Sequence, residues 1–191
     1  MSINFKAMKN TFYFILIIIS SLSCKAQTYP LRTYTQLSEG SYLRDTNNEL
    51  PEYEGTWKAV WDGKIIYLKI KKINYNYNET LKFYADILII KFKVTDTNGN
   101  ILFDNTNLDD DLAKIKGGKF KKSNQKYSLS YVDNDICGLN GFIEIDFTDA
   151  SKTKLNWKFN EGSNLITKDC PYYNAAVFPQ PLPKEVILTK Q

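Results

Sequence analysis

The chain has 191 residues, enough for one domain with its own core and short for two. Hydrophobic residues make up 43% and charged residues 24%, and 13 Tyr with 11 Phe tilt a globular composition toward strand. The net charge of +4 falls to +2 once Lys6 and Lys9 are set aside, leaving 23 basic against 21 acidic residues; that balance argues against a nucleic-acid partner, and the lack of any His excludes His-based triads, imidazole bases and most zinc sites.

Lys6 and Lys9 precede the apolar run FYFILIII, Phe12 to Ile19, and small residues follow it in SSLSC. The run is too short for a membrane span of about 20 residues, so residues 1–23 read as a signal peptide, with Met8 as a second possible start. Ser21 to Cys24 resembles the bacterial lipobox, in which the Cys is acylated with diacylglycerol and anchors the mature chain to a membrane. The alternative is ordinary cleavage after Ala26, which yields a secreted protein with Gln27 first. Both readings export the chain to an oxidising compartment, either the cell envelope (periplasm or outer membrane) or the outside. There Cys137 and Cys170 are an even pair and a disulfide is expected.

Residues 24–50 are polar and turn-rich and read as a spacer or a strap over the surface of a single β domain spanning 51–191. In GTWKAVW, Gly55, Trp57, Ala59 and Trp61 share one face; Asp62-Gly63 predicts a two-residue hairpin into a strand carrying Ile66, Leu68 and Ile70 on one side. After NYNYNET, read as a polar tip, DILIIKFKVTD alternates Leu88, Ile90, Phe92 and Val94 with Ile87, Ile89, Lys91 and Lys93, and Asn98-Gly99 turns it into ILFD. The block LDDDLAKIKGG offers the one plausible helical turn, and Gly117-Gly118 reads as a bulge or turn. The lysines between Lys114 and Lys126 fit the wet face of a strand.

KYSLSYV, GFIEIDF and KLNWKF alternate in turn, CPYYNAAVFPQPLP is loop, and KEVILTK closes the chain as a last strand. Eight or nine strands in sequence order predict an all-β antiparallel meander, closed as a barrel or folded as a two-layer sandwich. In DNDICGLNGFIE, Asp133, Asp135 and Glu144 have calcium-loop spacing, but strands rather than helices flank them, so a polar inter-strand loop is the preferred reading and no metal is assigned. No catalytic or cofactor signature is present; buried carboxylates would be the mark of a hidden enzyme.

The phrases SCKAQTYPLRTYTQ, DTNNELPEYEGTWKAVWDGK and DTNGNILFDNTNLDDD resemble an uncharacterised family of small exported proteins from Bacteroidota, which implies envelope location and a β-rich domain and no chemistry. Gly55-Thr56-Trp57 is similar to the Gly-x-Trp of the first lipocalin strand, whose Trp lies across the closed end of an eight-stranded barrel beneath an Arg; Arg32 and Arg44 both precede the core, so that Arg has no obvious counterpart. The resemblance implies a non-catalytic barrel for a small apolar or glycan ligand, with Trp57, Ile66, Leu68 and Ile70 facing its interior. The alternatives are an envelope protein acting through its surface, for which exposed aromatics would speak, and an enzyme whose carboxylates sequence does not reveal.

Overall fold

Period-two alternation leaves a sheet with one apolar face, and a meander of this length hides that face most completely by closing on itself. The computed structural model describes residues 27–191, so the signal segment and Cys24 lie outside the described residues. The strands are β1 (Thr28–Pro30), β2 (Tyr42–Arg44), β3 (Gly55–Trp61), β4 (Lys64–Asn78), β5 (Phe83–Asp96), β6 (Ile101–Asp104), β7 (Ile115–Phe120), β8 (Tyr127–Asp133), β9 (Leu139–Phe147), β10 (Lys154–Glu161) and β11 (Glu185–Lys190). Eight of them, β3, β4, β5, β7, β8, β9, β10 and β11, follow one another around a closed antiparallel barrel, sealed where β11 pairs with β3. The barrel is therefore the outcome, not the sandwich. β2 and β6 are additions along the edge of β5, and β1 pairs with β2.

Asp62 and Gly63, at φ of 43° and 68°, turn β3 into β4 and set Trp57 opposite Leu68 and Ala59 opposite Ile66. The register carries on into β5, where Leu68 meets Phe92 and Ile66 meets Val94. Trp57, Ile66, Leu68 and Ile70 thus face inward, as their phase predicts. They are at most 3% exposed and belong to one continuous core with Phe92, Tyr131, Ile145 and Trp157. Eight strands enclose an interior that side chains can just fill. In this state the four residues are packed against the core and offer no surface to a ligand.

Residues 27–53 plug one end of the barrel. The segment expected as a spacer or strap is anchored from within, because its Leu31, Leu43 and Leu50 are buried in the core. They are single apolar residues in a polar text, too isolated to set a period. The Trp57 indole N–H donates to the Tyr53 carbonyl at 2.8 Å, and Tyr53 stacks on Phe147 with ring centroids 4.3 Å apart. The cation covering Trp57 comes from the last strand: Lys190 Nζ lies 5.3 Å from the ring centroid and donates to the Glu52 carbonyl at 3.1 Å. Gly55 is favoured here by its φ of +122°, and a Cβ would stand 3.3 Å from Lys190 Cε.

The 162–184 loop caps the opposite end. Its Pro183 carbonyl accepts from the Trp157 indole at 2.9 Å, and the Cys137–Cys170 disulfide, with Cα atoms 5.6 Å apart, ties it to the β8–β9 loop.

Candidate functional site

The barrel wall is not continuous around β5. β7 pairs with it only at Ile90–Ile115 and Ile89–Lys116, and β2 joins it only at Tyr84 and Ala85. Gly117 shows why β7 departs. A Cβ there would stand 2.3 Å from the Tyr127 hydroxyl and 2.9 Å from Leu88 N, and it is this space that lets Tyr127 Oη accept the Leu88 N–H at 3.1 Å in place of a ladder bond. Past Gly117 the register of β7 against β8 shifts before Phe120, the bulge expected at the glycine pair.

The parting leaves a groove of about 400 Å³ along the outer face of β5, roofed by strap residues 33–37. Leu37, Leu43, Leu81, Phe83, Ala85 and Ile87 make its apolar lining, with Asn76, Asn78, Gln36 and Lys119 at its polar edge. This is within the size range of small-molecule sites, about 300–1,000 Å³, and its mixture of apolar lining and few polar groups is the composition such sites share. Sequence reasoning missed it, although a signal existed: the outward face of β5 changes from Lys91 and Lys93 to Ile89 and Ile87, both buried, and an apolar exterior marks where another element covers the wall.

Three buried carboxylates are also present, Asp45, Asp86 and Asp133, and the last two end columns that are in phase with the interior. Asp86 continues the inward series of Leu88, Ile90 and Phe92, and Asp133 continues that of Leu129 and Tyr131. Asp86 accepts from the Tyr42 hydroxyl at 2.6 Å, Asp45 N at 2.9 Å and Tyr75 N at 3.0 Å. Asp45 accepts from Glu49 N, Leu50 N and Lys72 Nζ at 2.8–3.0 Å. Every oxygen of this pair is occupied, and the bonds from Tyr42 and Asp45 N to Asp86 and from Lys72 to Asp45 fix the strap to the β4–β5 hairpin, so the arrangement is that of a structural clasp rather than a catalytic dyad. Burial, followed by the bond to Asp86, pushes the Tyr42 hydroxyl up to about 12.

The NYNYN segment, expected within a polar tip, is strand. β4 and β5 run on past Ile70 as a lip of roughly 25 Å, with an irregularity at Asn74–Tyr75, where Tyr75 has φ of 55°. Asn drew the reading toward a polar tip, while Tyr and pairing with β5 decide for strand. Tyr75 stacks on Tyr84 at 4.1 Å, Tyr77 leans on Tyr84 at 4.9 Å, and Tyr75 and Tyr77 are exposed.

The calcium-loop residues do not converge. Asp133 and Asp135 flank Lys114 Nζ at 2.6 and 2.7 Å, while Glu144 pairs with Lys121, about 16 Å further along β9 from the Asp133–Leu139 pair. Among the described residues no group of three or more Cys, Asp or Glu is placed to hold a metal ion.

A family model described as a family of unknown function, DUF6705, matches residues 8–191, and the chain belongs to that family. No curated protein and no solved structure matches it.

Proposed function

From membership of a family without an assigned activity, and from the groove at the parting of β5 and β7, we propose that this chain is an exported, lipid-anchored envelope protein whose barrel binds a small apolar ligand without catalysis. The observation that carries the reading is the groove itself: preformed, apolar inside, polar at the edge, and outside a core that side chains fill. Export and anchoring rest on the apolar run ahead of Cys24, a segment included in the family match. Three residues separate Cys24 from Thr28 of β1, and the Gln27 carbonyl accepts from Tyr42 N at 2.8 Å. An acylated Cys24 therefore has a reach of only roughly 10–14 Å from β1, on the side of the barrel where the groove lies. A ligand drawn from the membrane would meet the groove first.

Intact mass of protein isolated from its own envelope tests the anchor, and an unmodified chain starting at Gln27 removes it. Displacement of a hydrophobic dye by fatty acids tests the site. Ala85→Phe fills the groove, and Leu81→Asp places a charge at its edge at a residue already 59% exposed, where folding is spared. Saturable displacement weakened at least tenfold in both variants supports the reading; binding unchanged in both refutes it.

A surface-acting envelope protein is the second reading, favoured by the exposed tyrosine lip. Loss of envelope partners on Tyr75→Ser with Tyr77→Ser, with dye binding intact, would select it.

A further inference from the structure

Beyond the barrel rim, the β4–β5 lip ends in the reversal 79–82, in which every residue is exposed. Tyr75, Tyr77 and Leu81 are 50%, 39% and 59% exposed along it. We propose that this tip is a membrane seat. Leu81 enters the edge of the acyl region, Tyr75 and Tyr77 lie at headgroup level, and the domain stands on the bilayer with the end of its groove against the lipid. The seat rests on the anchor at Cys24 and deepens that reading, because it makes the bilayer itself the surface from which a ligand is drawn.

The direction of the strands supplies the first reason. β1 pairs with β2, and β2 with β5, both in parallel, so β1 starts at the end where β5 leaves the tip. Thr28, Tyr42, Tyr84 and Tyr77 are successive partners in one row across four strands, roughly 14 Å from first to last at about 4.8 Å per step. Gln27 therefore leaves the sheet beside the lip and toward its tip, and Cys24, three residues earlier, is within roughly 11 Å of it. The reversal 79–82 extends past the same row by one strand pair and its own turn, a comparable length. An acyl group on Cys24 and the Leu81 side chain can thus meet one plane.

Side-chain chemistry supplies the second. Tyr suits a membrane–water interface, because its ring favours the apolar side and its hydroxyl the wet one. The lip already holds these rings in place: Tyr75 stacks on Tyr84 at 4.1 Å and meets Tyr42 edge-on at 4.8 Å, and Tyr42 donates to the buried Asp86. Rings fixed in this way lose little freedom on docking. Charge points away from an ionic partner. The tip and the adjoining 38–40 loop, joined by the Gly40 N–H to the Lys82 carbonyl at 2.8 Å, carry Glu39 and Glu79 against Lys82, which itself lies 3.4 Å from Glu39. A strongly charged surface would find no matching patch here, whereas a lipid interface needs none. Three side chains are too few to recruit a free domain, so their effect is to orient one that is tethered. Asn78 and Leu81 also line the groove, and a seated tip therefore brings the end of the groove to the bilayer.

The test couples the mature chain through Cys24 to a maleimide phospholipid in phosphatidylcholine vesicles whose acyl chains carry bromine, a contact quencher of Trp emission. Cys137 and Cys170 are bonded to each other, which leaves the Cys24 thiol to couple. Leu81→Trp reports from the tip, and Val177→Trp, at a residue 82% exposed, reports from the opposite end of the barrel. The expected result is bromine quenching of Leu81→Trp at least twice that of the parent, kept when Ala85→Phe fills the groove, with Val177→Trp quenched no more than the parent. Adding Tyr75→Ser and Tyr77→Ser should remove at least half of the excess with circular dichroism unaltered, and about 0.5 M NaCl should leave it intact. No excess for Leu81→Trp, an equal excess for both reporters, or an excess abolished by Ala85→Phe would overturn the seat. Loss of envelope protein partners in the Tyr variant with its quenching undiminished would also overturn it and give the lip to a protein. The tether is supplied chemically and no ligand is added, so failure of the seat is distinct from an unacylated Cys24 in the cell and from a groove that binds no dye.

Discussion

Replacing Asp86 with Ala separates a structural clasp from a concealed active site. The substitution removes the acceptor of three donors, of which Asp45 N is buried and Tyr75 N and the Tyr42 hydroxyl are partly so. Leaving the buried N–H unmade costs about 1–3 kcal/mol, and each of the other two about 0.5–1.5 kcal/mol because water recovers part of the bond. The sum is roughly 2–6 kcal/mol, which for a domain of this size lowers Tm by about 4–24 °C. Asp86→Asn should lose at least half as much, since its NH₂ is turned toward donors. Urea unfolding followed by circular dichroism measures both. Carboxylates kept for catalysis behave in the opposite sense, because neutralising them commonly leaves stability unchanged or raises it. A change within about 0.5 kcal/mol of zero, or a gain, would refute the clasp and reopen the enzymatic reading.

The Cys137–Cys170 bond closes a loop with sequence separation 33, and Cys137→Ser with Cys170→Ser should cost roughly 3 to 4 kcal/mol in the chain-entropy model, read from urea unfolding as a lower midpoint with a slope no smaller than the parent's, since the uncrosslinked unfolded chain exposes more surface. Asp110 is held down to about 2 by hydrogen bonds from Lys71 and then Lys91. Its folded pKa is below the unfolded value, so its contribution is full above about pH 4 and lost as pH falls through 2. Asp110→Asn should therefore be about 0.2–1 kcal/mol less stable at pH 6 and should approach the parent only below about pH 2, the small size reflecting a side chain a third exposed. Gly117→Ala should evict the Tyr127 hydroxyl from Leu88 N and cost about 1–3 kcal/mol, visible as faster amide exchange at Leu88.

The barrel was legible because each wall strand repeats with period two and each tight reversal has its own chemistry: Asp62-Gly63 fixed the phase of Trp57 against Leu68, and that pairing is what the structure contains. The plug was not legible, since Leu31, Leu43 and Leu50 pack one at a time and depend on tertiary contacts with no local pattern. Lys190 covers Trp57 from 133 positions away in the chain, a partnership created only by the closure of β11 onto β3. The groove depends on an absence of pairing between β5 and β7, which no strand pattern announces, though Ile87 and Ile89 on the outer face marked its place. Asp86 and Asp133 were legible in principle. Each stands in phase with an apolar column, at the point where the column reaches an end of the barrel.

The central claim is that a small apolar ligand occupies the groove between β5 and β7. A crystal structure of the mature domain grown with a bromine-labelled fatty acid tests it most directly, because the anomalous signal reports position without interpretation of weak density. The account predicts one bromine peak beside Leu37, Phe83 and Ala85, under the 33–37 strap, and none in the barrel interior. A peak amid Trp57, Leu68 and Ile70, or no peak in crystals whose solution counterpart binds no fatty acid, would contradict it.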